Sequence, residues 1–184
     1  GDGPAGNTVG VTNNSAITVT GEQSKGIIAQ SIGGAGGYGG MAVTGTMTSS
    51  DDGKTANVSV GGNGGKGGSA AAVTVPNNAA IITGSSTSDG TSLYQGYGIL
   101  AQAVSGDGGY GGMAVTAQTN QGQKSAELAI GGKGGGTDAA STVTVNSNAA
   151  ITTHDDNSDA ILAQSIGGDG GAGGMTVNAA YTDS

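Results

Sequence analysis

The chain contains no cysteine, phenylalanine, tryptophan or arginine, and its only aromatic residues are five tyrosines. Without cysteine no disulfide can staple the fold, and without Phe or Trp a thick aromatic core cannot form. Only 2 prolines accompany 41 glycines, which excludes the proline-rich G-x-y repeat of collagen. Apolar residues make up 34% of the chain and are mainly Ala, Val and Ile, which suit thin layers of small and β-branched side chains.

Charge is sparse and mostly acidic: 5 Lys stand against 13 Asp and Glu, for a formal net charge of −8. No basic patch is available to neutralise phosphates, so the composition argues against nucleic acid as a partner and against an anionic membrane surface. Neither a twenty-residue apolar run nor a signal-peptide pattern occurs, so no direct membrane span is predicted in this chain. Any targeting or anchoring segment is expected to lie outside it.

Two motifs recur along the chain. The first reads "GIIAQSIGG", "GILAQAVSG" and "AILAQSIGG", and the second reads "VGVTNNSAI", "VTVPNNAAI" and "VTVNSNAAI". Between them lie two glycine tracts per unit, separated by a pair of strand-like segments. Self-similarity of this kind predicts a single repeat array of about two and a half units, approximately 7–68, 69–136 and 137–184, the last incomplete. The chain is therefore expected to be part of a longer protein.

The apolar runs are short, β-branched and flanked by turn residues, and none has a helical period. In "MAVTGTM" the alternation places Met41, Val43 and Met47 on one face, with Val58 and Val60 predicted to pack nearby. The run "IIAQSI" is apolar on both faces, which predicts a strand buried on both sides. The segments "SSDDGK" and "NQGQ" predict tight hairpin turns. Together these patterns predict an all-β, elongated, solenoid-like array of short strands and hairpins.

The glycine tracts, such as "GGAGGYGG" and "GGNGGKGG", have a period of three. Three residues per turn is the geometry of the polyproline II helix. The tracts are therefore predicted to be packed polyglycine II helices, bare on two faces and carrying side chains on the third. The alternative is that they are flexible surface loops.

Residues suited to catalysis or metal binding are few. The single histidine, His154, stands beside two aspartates in a loop, which makes neither a catalytic triad nor a metal site. "GAGGYG" matches G-x-G-x-x-G, but a strand and not a helix follows it. Tyr38 occupies the place of the aspartate in the calcium β-roll repeat, and Asp107 and Asp169 are interpreted as stacked surface residues. We expect no catalytic residue, no metal site and no cofactor.

The recurring amide side chains are predicted to be structural. Stacked unit on unit, they would form ladders in which each amide satisfies the next. A buried ladder is predicted for Gln30, Gln102 and Gln164. A second ladder, for which buried and exposed positions both stay open, is predicted for Asn14, Asn78 and Asn148. The candidate surface-contact residues are Tyr38, Tyr94, Tyr97 and Tyr110.

The motifs "SKGIIAQSIGGAGGYGG", "YGILAQAVSGDGGYGG" and "DAILAQSIGGDGGAGG", alternating with "VSVGGNGGKGGSAAAVTVPNNAAIIT", resemble the glycine-rich repeats of large bacterial autotransporter (type V secretion) passenger regions. The resemblance covers essentially the whole chain. It implies export through an outer-membrane β-barrel and display at the bacterial cell surface as a β-solenoid, often an adhesin or fibre. It supplies no catalytic residues, and the glycine tracts are longer than the turns of an ordinary parallel β-helix.

The leading functional prediction is a non-catalytic, structural or adhesive extracellular segment of a bacterial surface fibre or stalk. Because its stability would come from stacking of units, self-association into filaments is part of this prediction. The alternative is a binding module for a glycan or a host-surface ligand that uses the tyrosines. A carbohydrate-active β-helix enzyme is disfavoured because such enzymes need clustered carboxylates.

Overall fold

The computed structural model describes residues 1–21, 23–48, 55–84, 96–121, 125–154 and 157–183. Tyr94, all of "SSDDGK" and the second half of "NQGQ" lie outside these residues. Within the described ranges the regular secondary structure consists of β-strands alone. None of these ranges therefore contains a helix long and apolar enough to cross a membrane.

The strands fall into three successive units. The first unit contains β1 (Val9–Gly10), β2 (Ile17–Val19), β3 (Lys25–Ile32), β4 (Ala42–Thr48) and β5 (Thr55–Val60). The second contains β6 (Val73–Asn77), β7 (Ile81–Thr83), β8 (Tyr97–Val104), β9 (Ala114–Gln121) and β10 (Ser125–Ile130). The third contains β11 (Val143–Ser147), β12 (Ile151–Thr153), β13 (Asp159–Ile166) and β14 (Thr176–Asp183).

Each strand pairs in parallel with its equivalent in the neighbouring unit. The sheets are β1-β6-β11, β2-β7-β12, β3-β8-β13, β4-β9-β14 and β5-β10. The register aligns the repeats, so that Gln30 lies beside Gln102 and Gln102 beside Gln164. The repetitive all-β, solenoid-like array predicted from the sequence is therefore the observed fold.

The two strands on either side of each predicted hairpin turn do not pair with each other. Strand β4 belongs to one sheet and β5 to another, and each pairs with its equivalent in the second unit. The hairpin chemistry of the turn predicts the reversal of the chain but not its pairing. Parallel, in-register pairing satisfies the backbone of β4 and β5 while it stacks similar side chains, and the chain reversal then places the two sheets face to face.

One end of each unit is a three-sided coil, which we call the solenoid zone. It is formed by the sheets β1-β6-β11, β2-β7-β12 and β3-β8-β13, whose inward side chains meet in one core. The fully or nearly fully buried residues of this core include Ile27, Ala29, Val73, Val75, Ile81, Ile99, Ala101 and Ala103. Because most of these side chains are small or β-branched, the core is thin, as the composition predicts.

Strand β3 is buried on one side only, so the prediction of burial on both sides is wrong. Ile27 and Ala29 point into the core, whereas Ile28 and Ile32 are 52% and 60% exposed. Among the described residues no second layer covers the outer side of this sheet. Its apolar outer side chains therefore form part of the surface.

The other end of each unit, which we call the arm, has a polar interior and an apolar exterior. Between the sheets β4-β9-β14 and β5-β10, the hydroxyl oxygens of Thr44 and Ser59 lie 2.7 Å apart, and the Thr46 hydroxyl donates to the Asn57 carbonyl at 3.0 Å. Val43 and Met47 share one outward face as predicted. Val58 points outward from the other sheet and is 61% exposed, so the prediction that Val58 and Val60 pack against that face is wrong.

The glycine lattice and its side-chain rows

Between the solenoid zone and the arm, the glycine tracts form two facing layers. Layer A contains residues 33–40, 105–112 and 167–174, which connect the β3-β8-β13 sheet to the β4-β9-β14 sheet. Layer B contains residues 1–6, 61–68 and 131–136, which lead into β1, β6 and β11. Neighbouring tracts within a layer run parallel, and the two layers run in opposite directions.

Within each layer, every third N–H donates to a carbonyl of the next tract. In layer A the Gly36 N–H donates to the Asp107 carbonyl at 2.8 Å, and the Gly39 N–H donates to the Tyr110 carbonyl at 2.8 Å. In layer B the Gly64 N–H donates in the same way to the Lys133 carbonyl at 2.8 Å. A three-residue period with no bonds inside a tract is the pattern of packed polyglycine II helices.

A second set of hydrogen bonds crosses between the layers in continuous chains. The Gly65 N–H donates to the Gly37 carbonyl at 2.8 Å, and the Gly109 N–H donates to the Gly65 carbonyl at 2.8 Å. The Gly135 N–H then donates to the Gly109 carbonyl at 2.7 Å, and the Gly171 N–H donates to the Gly135 carbonyl at 2.9 Å. Each of these tracts is thus bonded both to its neighbours in the layer and to the opposite layer.

Close approach of bare backbone explains why glycine occupies these positions. A Cβ atom at Gly36 or Gly108 would lie less than 3.0 Å from a backbone carbonyl oxygen of the opposite layer, closer than real Cβ contacts. The equivalent position in the third unit, Gly170, has no atom within 4 Å of such a Cβ. The requirement for glycine therefore comes from packing between tracts and is absent where no tract is packed.

The third position of each glycine triplet carries a side chain that points away from the lattice. In layer A these residues form two rows along the stack, Ala35, Asp107 and Asp169 in one row and Tyr38, Tyr110 and Ala172 in the other. The rings of Tyr38 and Tyr110 are stacked, with centroids 5.3 Å apart and planes inclined by 8°. They are 77% and 52% exposed and border a shallow groove of about 280 Å³.

Acidic and amide side chains at these positions hold the next unit's backbone. The Asp107 carboxylate accepts the backbone N–H of Asp169 at 2.8 Å, and the Asp2 carboxylate accepts that of Lys66 at 2.7 Å. Asn63 accepts the N–H of Lys133 in the same way at 3.0 Å. These side chains supply acceptors to N–H groups that point outward from the lattice. The Asp107 side chain thus has a structural role at the surface of the stack, and Asp169 contributes its backbone N–H to that contact.

The three recurring glutamines lie in a hydrogen-bonded row. The side-chain amide N–H of Gln30 donates to the side-chain carbonyl of Gln102 at 2.5 Å, and Gln102 donates in the same way to Gln164 at 2.5 Å. The row is on the outer side of the β3-β8-β13 sheet, and Gln30 is exposed. The predicted buried position is therefore wrong, because the alternate residues Ile27 and Ala29 occupy the inner side.

The recurring asparagines also form a row, and a second asparagine row was not predicted. Asn78 donates to Asn14 and Asn148 donates to Asn78, each at 3.0 Å, on the exposed side of the corner. The buried row lies one residue earlier in each unit. The Asn13 side chain donates to the side-chain carbonyl of Asn77 at 2.7 Å, and the Asn77 side chain donates to the Ser147 hydroxyl at 2.9 Å. The repeated Asn-Asn pair in "TNNS" and "PNNA" was the available signal, but "NSNA" breaks it at Ser147.

The other candidate residues do not assemble a reactive site. The Lys25 amine lies 5.9 Å from the centroid of the Tyr97 ring, away from the row that contains Tyr38 and Tyr110. The exposed His154 donates its backbone N–H to the Thr83 carbonyl at 3.0 Å. Within the part of the chain that the structure describes, no three His, Cys, Asp or Glu side chains are grouped to hold a metal ion.

Comparisons with known proteins add little to this description. No family model and no curated protein match the chain. The comparison with solved structures matches the chain to the springtail antifreeze protein of Granisotoma rainieri, a bundle of nine polyproline II helices whose crystal waters match the ice lattice. The two are 21% identical over 95% of this chain and 93% of that one, with a TM-score of 0.19. So poor a superposition supports no conclusion about shared fold or function.

Proposed function

We propose that this chain is a structural, non-catalytic segment of an extracellular fibre or stalk at a bacterial cell surface. The observation that carries the proposal is the glycine lattice, in which hydrogen bonds run without interruption from Gly1 through Gly37, Gly65, Gly109 and Gly135 to Gly171. Lattice, ladders and in-register sheets all serve to hold one unit on the next. The family context that we propose is the passenger region of an autotransporter, which is displayed as an elongated solenoid.

The partner in this role is the chain's own repeat. A parallel stack covers its edges only with further units of matching register, supplied by neighbouring repeats or by other protomers. The sequence has only 5 lysines and no arginine with which to neutralise a nucleic acid. One of them, Lys66, forms an ion pair with Asp138.

Electron cryo-microscopy of the protein as isolated, without prior denaturation, tests the structural role. We expect long, regular filaments with an axial repeat of about 4.8 Å, the spacing of stacked strands. Filaments should be lost in a variant whose lattice is disrupted, such as Gly108→Ala. Discrete particles that lack the strand spacing of about 4.8 Å, at concentrations where the chain is folded, would contradict the proposal. Short rods that keep this spacing would mean that the stacked units come from neighbouring repeats and not from other protomers.

The exposed tyrosine pair favours a second function, binding of a glycan or host-surface ligand. Tyr38 and Tyr110 present aromatic surface beside the Asp107 carboxylate, and aromatic faces with a nearby hydrogen-bonding group are suited to sugar rings. If this function is correct, a glycan array probed with the native protein should show binding that Tyr38→Ala and Tyr110→Ala each abolish. Tyr97→Ala is the matched control, because Tyr97 lies apart from this row. No binding on the array, or binding unchanged in both variants, would end this alternative.

A further inference from the structure

The outer side of the β3-β8-β13 sheet, layer A and the β4-β9-β14 sheet form one continuous surface, which we call the A face. Along the first unit its outward residues run from Ile28 to Met47. Between Ile28 and Met47 and at the equivalent positions of the other two units, Asp107 and Asp169 are the charged outward residues, and Asp183 follows at the end of β14. All 4 methionines of the chain lie on this face. In the first unit Met41, Val43 and Met47 are 63%, 65% and 88% exposed.

The opposite surface of the glycine lattice is polar by comparison. The outward residues of layer B include Asp2, Asn63, Lys66 and Lys133, and Lys66 is paired with Asp138. The two sides of the same lattice therefore differ in chemistry. The outer side of the β5-β10 sheet is also apolar, with Val58 and Leu128 61% and 50% exposed. On that side the polar residues of layer B interrupt the apolar surface, whereas on the A face the tyrosines of layer A continue it.

We propose that a second copy of this chain packs against the A face, related by a two-fold axis parallel to the stack. The axis lies between the Ala35 row and the Tyr38 row. The pairing rests on the proposed structural role and deepens it, because it converts a single stack into a double one.

Matching periods identify the second copy as the occupant. The side-chain rows of the A face repeat at the strand spacing of about 4.8 Å, so a partner whose rows repeat at the same spacing meshes along the whole face. With the axis parallel to the stack, both copies keep their rows at equal heights. The match therefore does not depend on the number of units.

Reversed about this axis, the A face brings two apolar rows opposite apolar or small residues, and it brings the Gln30 row opposite the partner's Val43 row. Counted outward from the axis, the Ile32 row lies opposite the partner's Met41 row. The Ile28 row lies opposite a row of small residues, Gly45, Ala117 and Ala179, which forms the floor of a groove of about 500 Å³. Leu100, in the middle of the Ile28 row, is only 9% exposed, so contact in this row falls to Ile28 and Leu162.

The same axis gives the aspartates on the A face hydrogen-bond donors in the partner copy. It places the row of Asp107 and Asp169 opposite the partner's row of Tyr38 and Tyr110, whose hydroxyls are donors for a carboxylate. Like charges do not face each other across the interface. A two-fold axis perpendicular to the stack and passing through the second unit would instead oppose Asp107 to itself.

The extent of the face is sufficient for a stable pair. From Ile28 to Met47 the backbone spans about 65 Å, and three units span about 14 Å, which gives on the order of 900 Å² per copy. A standard protein interface buries about 800 Å² per partner.

Sedimentation velocity over a range of concentrations tests the pairing on the full chain. Val43→Glu places a charge on the A face, and Val58→Glu places the same charge on the opposite side of the arm at a similarly exposed residue (65% and 61% exposed). Below the concentration at which filaments form, we expect dimers of the native chain, an association constant at least about tenfold lower for Val43→Glu, and no change for Val58→Glu. Unchanged thermal unfolding of both variants shows that the fold is intact.

Cross-linking tests the symmetry, and the absence of native cysteine makes it specific. Ile32 and Met41 lie about 29 Å apart within one chain, so a short bismaleimide joins Ile32→Cys to Met41→Cys only between copies. We expect covalent dimers from this double variant and none from Ile32→Cys with Val60→Cys. A chain that stays monomeric, or that associates equally in both glutamate variants, overturns the pairing. If such a chain still forms single-width filaments, the structural role stands without it.

Discussion

Gly108→Ala is expected to destabilise the protein by about 3 kcal/mol or more, whereas Gly170→Ala is expected to be nearly neutral. The added Cβ at Gly108 would overlap the carbonyl oxygen of Gly135 in the opposite layer. That carbonyl also accepts the N–H of Gly171, and the Gly135 N–H donates to Gly109. Relieving the overlap must move backbone, which costs about 1–3 kcal/mol for overpacking and about 1 kcal/mol for each weakened hydrogen bond.

The two positions are equivalent in the repeat, so local sequence and backbone are matched. At Gly170 a Cβ meets no atom within 4 Å, and alanine lowers the entropy of the unfolded chain. Thermal unfolding followed by circular dichroism should show a midpoint lower by about 6–12 °C for Gly108→Ala and a change within about 2 °C for Gly170→Ala.

A second matched pair guards against local fraying in the third unit. Gly40 and Gly112 are also equivalent, and a Cβ meets no atom at Gly40 but overlaps a backbone oxygen at Gly112. Gly40→Ala should therefore be tolerated and Gly112→Ala should not. Equal, small effects at Gly108 and Gly112 would mean that the tracts are flexible loops, the alternative interpretation of their sequence.

The sequence supports the fold wherever the information is repetitive. The recurrence of the Gln30 motif aligns β3, β8 and β13 residue by residue, and the period of three in the tracts predicts the lattice. Both the motif and the period can be found by comparing one repeat with the next, and in the structure equivalent residues do stack on one another. Neither prediction depends on knowing which two different segments of a unit face each other.

The side of the sheet on which each side chain of β4 and β5 lies could not be predicted, because it depends on how these two different segments face each other. Alternation in β4 separates Val43 from Thr44 but does not say which face is inward. That choice depends on β5, across the turn, where Ser59 and Asn57 supply hydrogen-bonding partners to the threonines. An apolar-inside rule fails because several polar side chains in the interior of the arm bond one another, including Thr44 with Ser59 and Asn57 with Gln118. The match is incomplete, since the Thr116 hydroxyl and one Glu127 carboxylate oxygen are buried there without a partner.

The candidate site illustrates a further limit. Tyr38 and Tyr110 were identified because they recur in the tracts, and the lattice brings their rings together. The apolar residues on either side of Gln30 predict that it is buried. In β3, however, Gln30 lies on the same outer side as Ile28, because the two lie two positions apart along the strand. Sequence therefore identifies which residues form rows more readily than it identifies the side of the sheet on which each row lies.

Asn77→Ala is expected to cost about 2–4 kcal/mol, although the neighbouring Asn78→Ala should cost less than about 1 kcal/mol. Asn77 is fully buried and joins all three units, since it accepts from Asn13 and donates to Ser147. Its removal opens a cavity and deprives the Asn13 amide of its nearest buried acceptor. Asn78 makes similar bonds to Asn14 and Asn148, but on the exposed side, where water replaces them.

Urea unfolding of the single variants Asn13→Ala and Asn77→Ala, and of the double variant Asn13→Ala/Asn77→Ala, measures how far the buried row acts as a unit. Asn78→Ala is measured alongside them. If the loss comes from unsatisfied partners, the double variant should cost less than the sum of the two single variants, because both members of the pair are then removed. Equal destabilisation by Asn77→Ala and Asn78→Ala would contradict this assignment. Both rows of the corner would then contribute equally to stability.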